Sequence, residues 1–268
     1  MLDMDGFSAW LRENELAEGT QHLYTRFLHD YSEYTGCNQP DKQSIKRWKE
    51  HLLETNQPQT VNLKLSAISK YCAFAGLSIH IKRVTVQRRT LIRNAITRDE
   101  VEHLIGSLEA DGCERFAVIV RLLAKTGGRI SEVIRITKRD ISRGYVDMPT
   151  KGKVRRIYLP DTLADELRPF LVDLGPGDIL CRNRFGRQIT ANGVGKMLRR
   201  FAARYGIPPE HVHPHAFRHF YAVEFLRQNP NVALLADTLG HSDLNTTMIY
   251  LRQTEEQQRA EINRTVNW

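Results

Sequence analysis

Apolar residues recur at three- and four-residue spacing in four segments near the start of the chain, which is the pattern of amphipathic helices. The four apolar stripes span Phe7–Leu11, Leu23–Tyr31, Ile45–Leu53 and Val61–Phe74. Thr20 and Asp41 stand where the N-caps of the second and third helices are expected, and Gly36 and Gly76 where the second and fourth helices end. Four helices in roughly 80 residues can build a compact helical domain.

A second set of elements begins at Thr97, which forms the capping-box pattern of a helix start with Glu100. A strongly apolar helix is predicted over 114–125, with a further helix from Arg129. Two strands, Tyr145–Met148 and Arg156–Pro160, are joined by a turn at 150–153 and predict a β-hairpin. Further helices are predicted at 161–173, 190–205, 215–228, 231–239 and 243–251, followed by a polar helical tail at 255–268. The predicted fold class is therefore mainly α with a small β-hairpin.

These patterns divide the chain into a helical domain over 1–80, a basic linker over 81–95 and a second domain over 96–268. Between Ile79 and Arg98 the chain carries six basic residues and no acidic one. A solvated linker and a segment lying along DNA phosphates both fit this composition, and the overall charge favours the second. We expect phosphate contacts from Lys82, Arg83, Arg88, Arg89 and Arg93.

The composition of the 268-residue chain fits a globular protein with a polyanionic partner. Hydrophobic residues make up 41%, and 39 Lys and Arg against 31 Asp and Glu give a net charge of +8. The four cysteines are widely spaced, without the paired spacing of a zinc site. No signal peptide or apolar stretch of bilayer length is visible, so we expect a cytoplasmic protein without a membrane partner and with reduced thiols.

Six side chains in the second half could together cut a phosphodiester with a tyrosine nucleophile: Arg129, Lys151, His215, Arg218, His241 and Tyr250. Two arginines can neutralise the transition state, a lysine can protonate the leaving oxygen and a phenol can attack phosphorus. Each residue alone has an ordinary interpretation, such as a surface arginine, a solvated lysine or a core tyrosine. Lys153, Arg155 and Arg156 are local competitors of Lys151. The ordered joint occurrence of all six favours the catalytic interpretation, and the sequence shows no clustered carboxylates for a metal.

Three short motifs resemble the active-site signature of the tyrosine recombinase (phage integrase) family, and the layout is similar to its simpler, Xer-like members. The motifs are Thr-Gly-Gly-Arg-Ile-Ser-Glu at 126–132, His-Ala-Phe-Arg-His at 215–219 and Leu-Gly-His-Ser at 239–242. The resemblance is specific over 126–251 and only architectural before about residue 95. One departure is Gly128, where the family more commonly carries a bulkier apolar residue.

The resemblance implies an N-terminal helical core-binding (SAM-like) domain followed by the tyrosine recombinase catalytic domain. It also implies a role for each site residue. Tyr250 would attack the phosphate and stay joined to the 3′ end, while Arg129 and Arg218 would hold the non-bridging oxygens. Lys151 would protonate the 5′ leaving oxygen.

The remaining implied roles concern proton transfer, support and assembly. His215 would assist proton transfer, His241 would hydrogen-bond the phosphate, and Glu132 would support the site from behind. No metal or other cofactor is expected. The implied partners are double-stranded DNA with paired core sites and three further copies of the chain. In that tetramer, the segment 255–268 would pack on a neighbouring copy.

Two other functions use the same kinds of residue. A type IB topoisomerase-like or telomere-resolving enzyme would share the chemistry, although the small size and Xer-like layout argue against it. A non-catalytic DNA-binding protein on this scaffold would have no need of a phenol opposite two arginines. Relaxation of a plasmid without a paired site would identify the first, and absence of a covalent DNA adduct the second.

Overall fold

The computed structural model describes residues 2–37, 39–86, 95–150, 153–240, 247, 262–266 and 268. The chain divides into two compact units, residues 1–88 and 89–268. Among the described helices, none is long and apolar enough to cross a membrane.

The first unit contains four helices: α1 (Met4–Glu13), α2 (Glu18–Thr35), α3 (Lys42–Thr55) and α4 (Pro58–Phe74). Asp41 caps α3, since its side chain accepts hydrogen bonds from the backbone N–H groups of Gln43 and Ser44. Gly36 ends α2 in the left-handed conformation, with φ of 62°. The predicted cap at Thr20 is wrong, because α2 begins two residues earlier and Thr20 lies within its first turn.

Large aromatic side chains lie among the aliphatic residues in the core of this first unit. Phe7, Tyr31 and Trp48 are almost completely buried, and the Tyr31 hydroxyl lies 2.7 Å from Ser44 Oγ. The chain after α4 continues along the same core, where Ile81 and Val84 pack against the helices. The Asn62 side chain bonds both the N–H and the C=O of Val84, at 2.8 and 2.9 Å. The start of the segment assigned to the linker therefore lies on the helical unit.

The second unit has a mainly helical core with one hairpin. Its elements are α5 (Arg98–Ala110), α6 (Glu114–Thr126), α7 (Ile130–Val133), α8 (Lys138–Arg143), β1 (Tyr145–Thr150), β2 (Lys153–Tyr158), α9 (Asp161–Leu167), a 3₁₀ turn (Arg168–Leu171), α10 (Ala191–Arg204), α11 (Pro214–Gln228) and α12 (Val232–Leu239). Nine residues of α6 are buried, and it contacts α5, α7, α9 and α11. Helix α6 is thus the central element around which the site is built.

Four elements differ from the sequence prediction. The strands run over 145–150 and 153–158 instead of 145–148 and 156–160, so Tyr145 pairs with Tyr158 and Asp147 with Arg156. The helix predicted over 161–173 ends at Leu167, where Pro169 favours a tighter 3₁₀ turn. Helix α8 was not predicted, because Ile141 is its only buried residue and leaves no apolar stripe. The helix predicted at 243–251 lies outside the described residues, apart from Thr247.

Candidate active site

Two adjacent glycines place Arg129 at the start of α7. Gly127 ends α6 in the left-handed conformation, with φ of 58°. A Cβ at Gly128 would lie 2.8 Å from Val133 Cγ2, so any larger residue at this position would require Val133 to move. The chain can therefore turn sharply from α6 into α7, with Arg129 as the N-cap residue.

Three arginines from distant parts of the sequence meet at the end of α12. Arg155, Arg218 and Arg129 donate hydrogen bonds to the consecutive carbonyl oxygens of Thr238 (2.7 Å), Leu239 (2.6 Å) and Gly240 (3.3 Å), respectively. A helix C-terminus leaves its last carbonyls without intrahelical partners and carries partial negative charge. The end of α12 thus binds three guanidinium groups that the sequence separates by up to 89 residues. We call this arrangement the arginine clamp.

Arg218 is the buried member of the two predicted phosphate-binding arginines. Only 4% of its surface is exposed, and its Nη1 also donates to the carbonyl oxygen of Gly127 at 2.8 Å. Arg218 therefore connects the motif at 215–219 to the glycine turn of the motif at 126–132. The side chain of Arg129 is 39% exposed, so its guanidinium can approach a ligand from solvent.

Glu132 holds two of the three arginines of the arginine clamp, Arg129 and Arg155, through its carboxylate. Its Oε2 accepts hydrogen bonds from the backbone N–H of Arg129 at 2.7 Å and from Arg155 Nη1 at 2.5 Å, while Oε1 accepts from Arg129 Nη1 at 3.1 Å. Burial raises the pKa of Glu132, but the hydrogen bond from Arg129 and the charge of Arg155 outweigh it and bring the pKa below its ordinary value. Glu132 is therefore ionised at neutral pH.

The sequence indicates Arg155 only as an alternative to Lys151. In the structure Arg155 lies beside Glu132 at the end of α12. It is 7% exposed, and burial lowers its pKa, with the charge of Glu132 opposing that shift. A Cβ at Gly240 would collide with the Arg155 side chain, so the two are in close contact. Its neighbour Arg156 points outward and bonds Asp147 at 2.8 and 2.9 Å. The alternation of side chains along a strand could have indicated that Arg155 is buried, because Arg155 lies on the same face of β2 as the buried Ile157.

His215 lies one turn before Arg218 on α11, and its ring contacts the edge of His219 with centroids 4.6 Å apart. His215 is exposed, yet desolvation and the charge of Arg218 bring its pKa below the ordinary value. Burial brings the pKa of His219 to about 4. Both imidazoles are therefore neutral at pH 7. Among the described residues, no three His, Cys, Asp or Glu side chains could together hold a metal ion.

Six of the predicted site residues lie outside the described part of the chain: Arg88, Arg89, Arg93, Lys151, His241 and Tyr250. In the sequence, His241 directly follows Gly240, whose carbonyl oxygen binds Arg129. Two of the five predicted contact residues of the linker are described, Lys82 and Arg83, and both are exposed. The Arg83 guanidinium donates to the Asn62 carbonyl oxygen at 2.5 Å and to Ser66 Oγ at 2.6 Å.

The sequence reasoning missed a second basic segment, over 179–204. It contains seven basic residues and no acidic one: Arg182, Arg184, Arg187, Lys196, Arg199, Arg200 and Arg204. Helix α10 buries Val194, Leu198 and Phe201, while Lys196 and Arg199 are exposed. The absence of acidic residues was the available signal, and it is as clear here as in the linker.

The chain is similar to known proteins along most of its length. The model of the phage integrase family matches residues 94–257. The chain is 29% identical over 267 residues to tyrosine recombinase XerA of Thermococcus kodakarensis, covering 96% of this chain and 92% of that protein. It is 27% identical over 277 residues to tyrosine recombinase XerD of Halalkalibacterium halodurans, covering 92% and 91%.

A solved structure shows the same fold. The Tn1549 transposon integrase in complex with circular intermediate DNA superposes with a TM-score of 0.74 at 18% identity, covering 98% of this chain and 99% of that one. The family match spans more than half of the chain, and the curated relatives match along nearly its whole length. The chain therefore belongs to the phage integrase family and is a Xer-like tyrosine recombinase.

Proposed function

We propose that the protein cleaves and rejoins DNA strands at specific sites through a 3′-phosphotyrosyl intermediate on Tyr250, without metal or ATP. One observation carries this proposal. Arg129 and Arg218 bind adjacent carbonyl oxygens at the end of α12, immediately before the segment that contains His241 and Tyr250. Two guanidinium groups this close can bind two oxygens of a single phosphate.

The proposed reaction has two balanced steps. In the first, Tyr250 Oη forms a bond to phosphorus, the bond from phosphorus to the 5′ oxygen breaks, and Lys151 gives that oxygen a proton. In the second, the 5′ hydroxyl of the new partner strand attacks phosphorus and gives its proton to Lys151, while the bond from phosphorus to Tyr250 Oη breaks and the phenol takes its proton back from His215. One ester replaces another in each step, so no external energy source is required.

The surrounding residues stabilise charge and move protons. Arg129 and Arg218 neutralise the additional negative charge of the pentacovalent transition state. His215 can accept the phenol proton because the lowered pKa keeps its imidazole neutral. His241 donates a hydrogen bond to the phosphate, and Glu132 holds Arg129 in place.

A nicked suicide substrate tests this function, because loss of the short 5′ fragment traps the covalent adduct. The wild-type protein should form a DNA-linked species that resists denaturant, whereas Tyr250→Phe should bind the same DNA without forming it. Tyr158→Phe is the matched control, since Tyr158 is exposed on the outer face of the hairpin, and it should behave as wild type. An adduct formed by Tyr250→Phe would show that the nucleophile is another residue.

The assembly proposed for this reaction is four copies of the chain on two DNA core sites, working in the cytoplasm where that DNA is. The unit formed by residues 1–88 would be the core-binding domain, and the basic residues of 82–93 would lie along phosphates. The described tail residues Ile262, Val266 and Trp268 are exposed, Trp268 by 92%. Packing of 255–268 on a neighbouring copy would bury this apolar surface. Deletion of 255–268 should therefore weaken pairing of two DNA sites while the fold is kept, as judged by native gels and circular dichroism.

A further inference from the structure

The loop before α10, residues 182–188, is closed into one conformation by its own backbone. Arg182 pairs with Gln188, and the Asn183 N–H donates to the Arg187 carbonyl oxygen at 2.7 Å. Asn183 Oδ1 accepts a hydrogen bond from the Phe185 N–H at 2.8 Å. Gly186 takes the left-handed conformation, with φ of 74°. The conformation of the tip is therefore supported by hydrogen bonds within the loop itself.

Phe185 stands at this tip and is 71% exposed. The guanidinium carbon of Arg184 lies 4.6 Å from its ring centroid, so the ring carries a cation on one face. A single exposed apolar residue is common on protein surfaces. Here its surroundings are unusual, because the continuous segment 179–204 carries seven positive charges and no negative one; two of the seven, Arg182 and Arg204, form ion pairs with Asp178 and Asp111 outside the segment. A polyanion is the partner that fits this surface.

The base of the loop is bonded to the catalytic machinery. Gln188 Nε2 donates to the Ile134 carbonyl oxygen at 2.9 Å, and Cys181 Sγ donates to that of Val133 at 3.6 Å. Val133 and Ile134 end the short helix α7, whose N-cap is Arg129. The position of Phe185 is therefore set relative to the arginine that holds the scissile phosphate.

We propose that residues 184–187 form a DNA-contacting tip at a set distance from the cleaved phosphate. Arg184 and Arg187 bind backbone phosphates, and the Phe185 ring makes an apolar contact in the groove that depends on the shape of the base step. The arginines thus contribute affinity for any duplex, while the phenylalanine contributes selectivity for the core site. This proposal rests on the proposed function, since the partner is the recombinase's own DNA site.

Binding measurements at several salt concentrations separate the two contributions. The probes are a 30-bp duplex (a length of roughly three helical turns), selected from a random pool by the full-length Tyr250→Phe protein, and an unrelated duplex of equal composition. Arg184→Ala should weaken binding to both duplexes and reduce the slope of log affinity against log salt by about 1. Phe185→Ala should keep the slope and lower the ratio of the two affinities by roughly tenfold, the size of one lost base-pair contact.

Two further variants serve as controls for this experiment. Phe185→Leu should retain much of the ratio, because it keeps an apolar tip of similar reach. Val172→Ala is the matched control, since Val172 is 74% exposed but is followed by an acidic residue, and it should match the parent protein in both measurements. Circular dichroism and thermal unfolding should show the same fold in all variants, because the substituted side chains face solvent.

The outcomes distinguish this inference from the proposed function. If the Tyr250 adduct forms but Arg184→Ala and Phe185→Ala bind both duplexes as the control does, the DNA-contacting tip is wrong and the recombinase function stands. If these variants change binding as expected but no adduct forms, the tip stands and the catalytic proposal fails. A photo-crosslinking amino acid at position 185 should label one position of the selected duplex, and diffuse labelling along it would contradict a set distance.

Discussion

Replacing Arg155 by methionine should separate the stability of the fold from the geometry of the active site. Arg155 and Glu132 form a buried ion pair, each being 7% exposed. The substitution leaves the Glu132 carboxylate with Arg129 alone and removes the donor to the Thr238 carbonyl oxygen. Breaking a buried pair by removing one partner costs about 3–5 kcal/mol. In a unit of this size, such a loss should lower the melting temperature by roughly 6–20 °C.

The double variant Arg155→Met with Glu132→Leu supplies the decisive comparison. An apolar pair of similar volume can be as stable as the buried ion pair it replaces, so the double variant should recover most of the melting temperature. Its cleavage should stay low, because Arg129 has lost the carboxylate that holds it and the end of α12 has lost one of its three guanidinium groups.

Single-turnover cleavage of the nicked substrate, measured at saturating DNA, gives the second readout. We expect the double variant to cleave on the order of 100-fold or more slowly than wild type, the effect of one misplaced transition-state donor, with DNA affinity nearly unchanged. If the double variant regains both stability and the wild-type cleavage rate, the ion pair serves the fold alone and our account of Arg155 is wrong.

Three other predictions follow from the same geometry. Arg129→Ala and Arg218→Ala should each slow cleavage by several orders of magnitude, but only Arg218→Ala should also lower the melting temperature clearly, because only that guanidinium is fully buried. The folded-state pKa of His219 is about 4, below its ordinary value. The neutral ring therefore contributes stability above about pH 6.5, and this stability is lost as pH falls toward 4. Thermal unfolding across this pH range should show the loss of stability, and His219→Gln should make that loss smaller. Cleavage should fall as His215 becomes protonated below its ordinary pKa range, since its pKa is lowered, and a pH–rate profile that rises toward pH 5 would contradict its role as proton acceptor.

Local signals predicted much of the helical framework. The caps at Asp41 and Thr97 and the helix end at Gly36 depend on interactions within a few residues, and the structure confirms all three. The cap at Thr20 was wrong because a polar residue in the first turn of a helix resembles an N-cap in sequence. The start of β2 was predicted three residues too late. The alternation of side chains in the sequence shows which residues share a face of the strand, but it does not show how short the turn before the strand is.

Long-range packing explains what the sequence could not indicate. The sequence draws attention to Arg155 only because it is close to Lys151. Its partners Glu132 and Thr238 lie 23 and 83 residues away in the chain. The convergence of Arg129 and Arg218 depends on where α12 ends against α11 and β2, which no local pattern predicts. The tip at Phe185 was missed because one exposed aromatic residue is distinctive only when its surroundings are known.

The central claim is that Arg129 and Arg218 neutralise one and the same phosphate. A substrate with a methylphosphonate at the scissile position tests this directly, because it lacks the negative charge that the arginines are proposed to balance. With this substrate, cleavage by Arg129→Ala and by Arg218→Ala should recover toward the wild-type rate, while Tyr250→Phe should remain inactive. If both arginine variants stay as impaired on the neutral substrate as on the ordinary phosphate, the two guanidinium groups do not act on the reacting phosphate and the account fails.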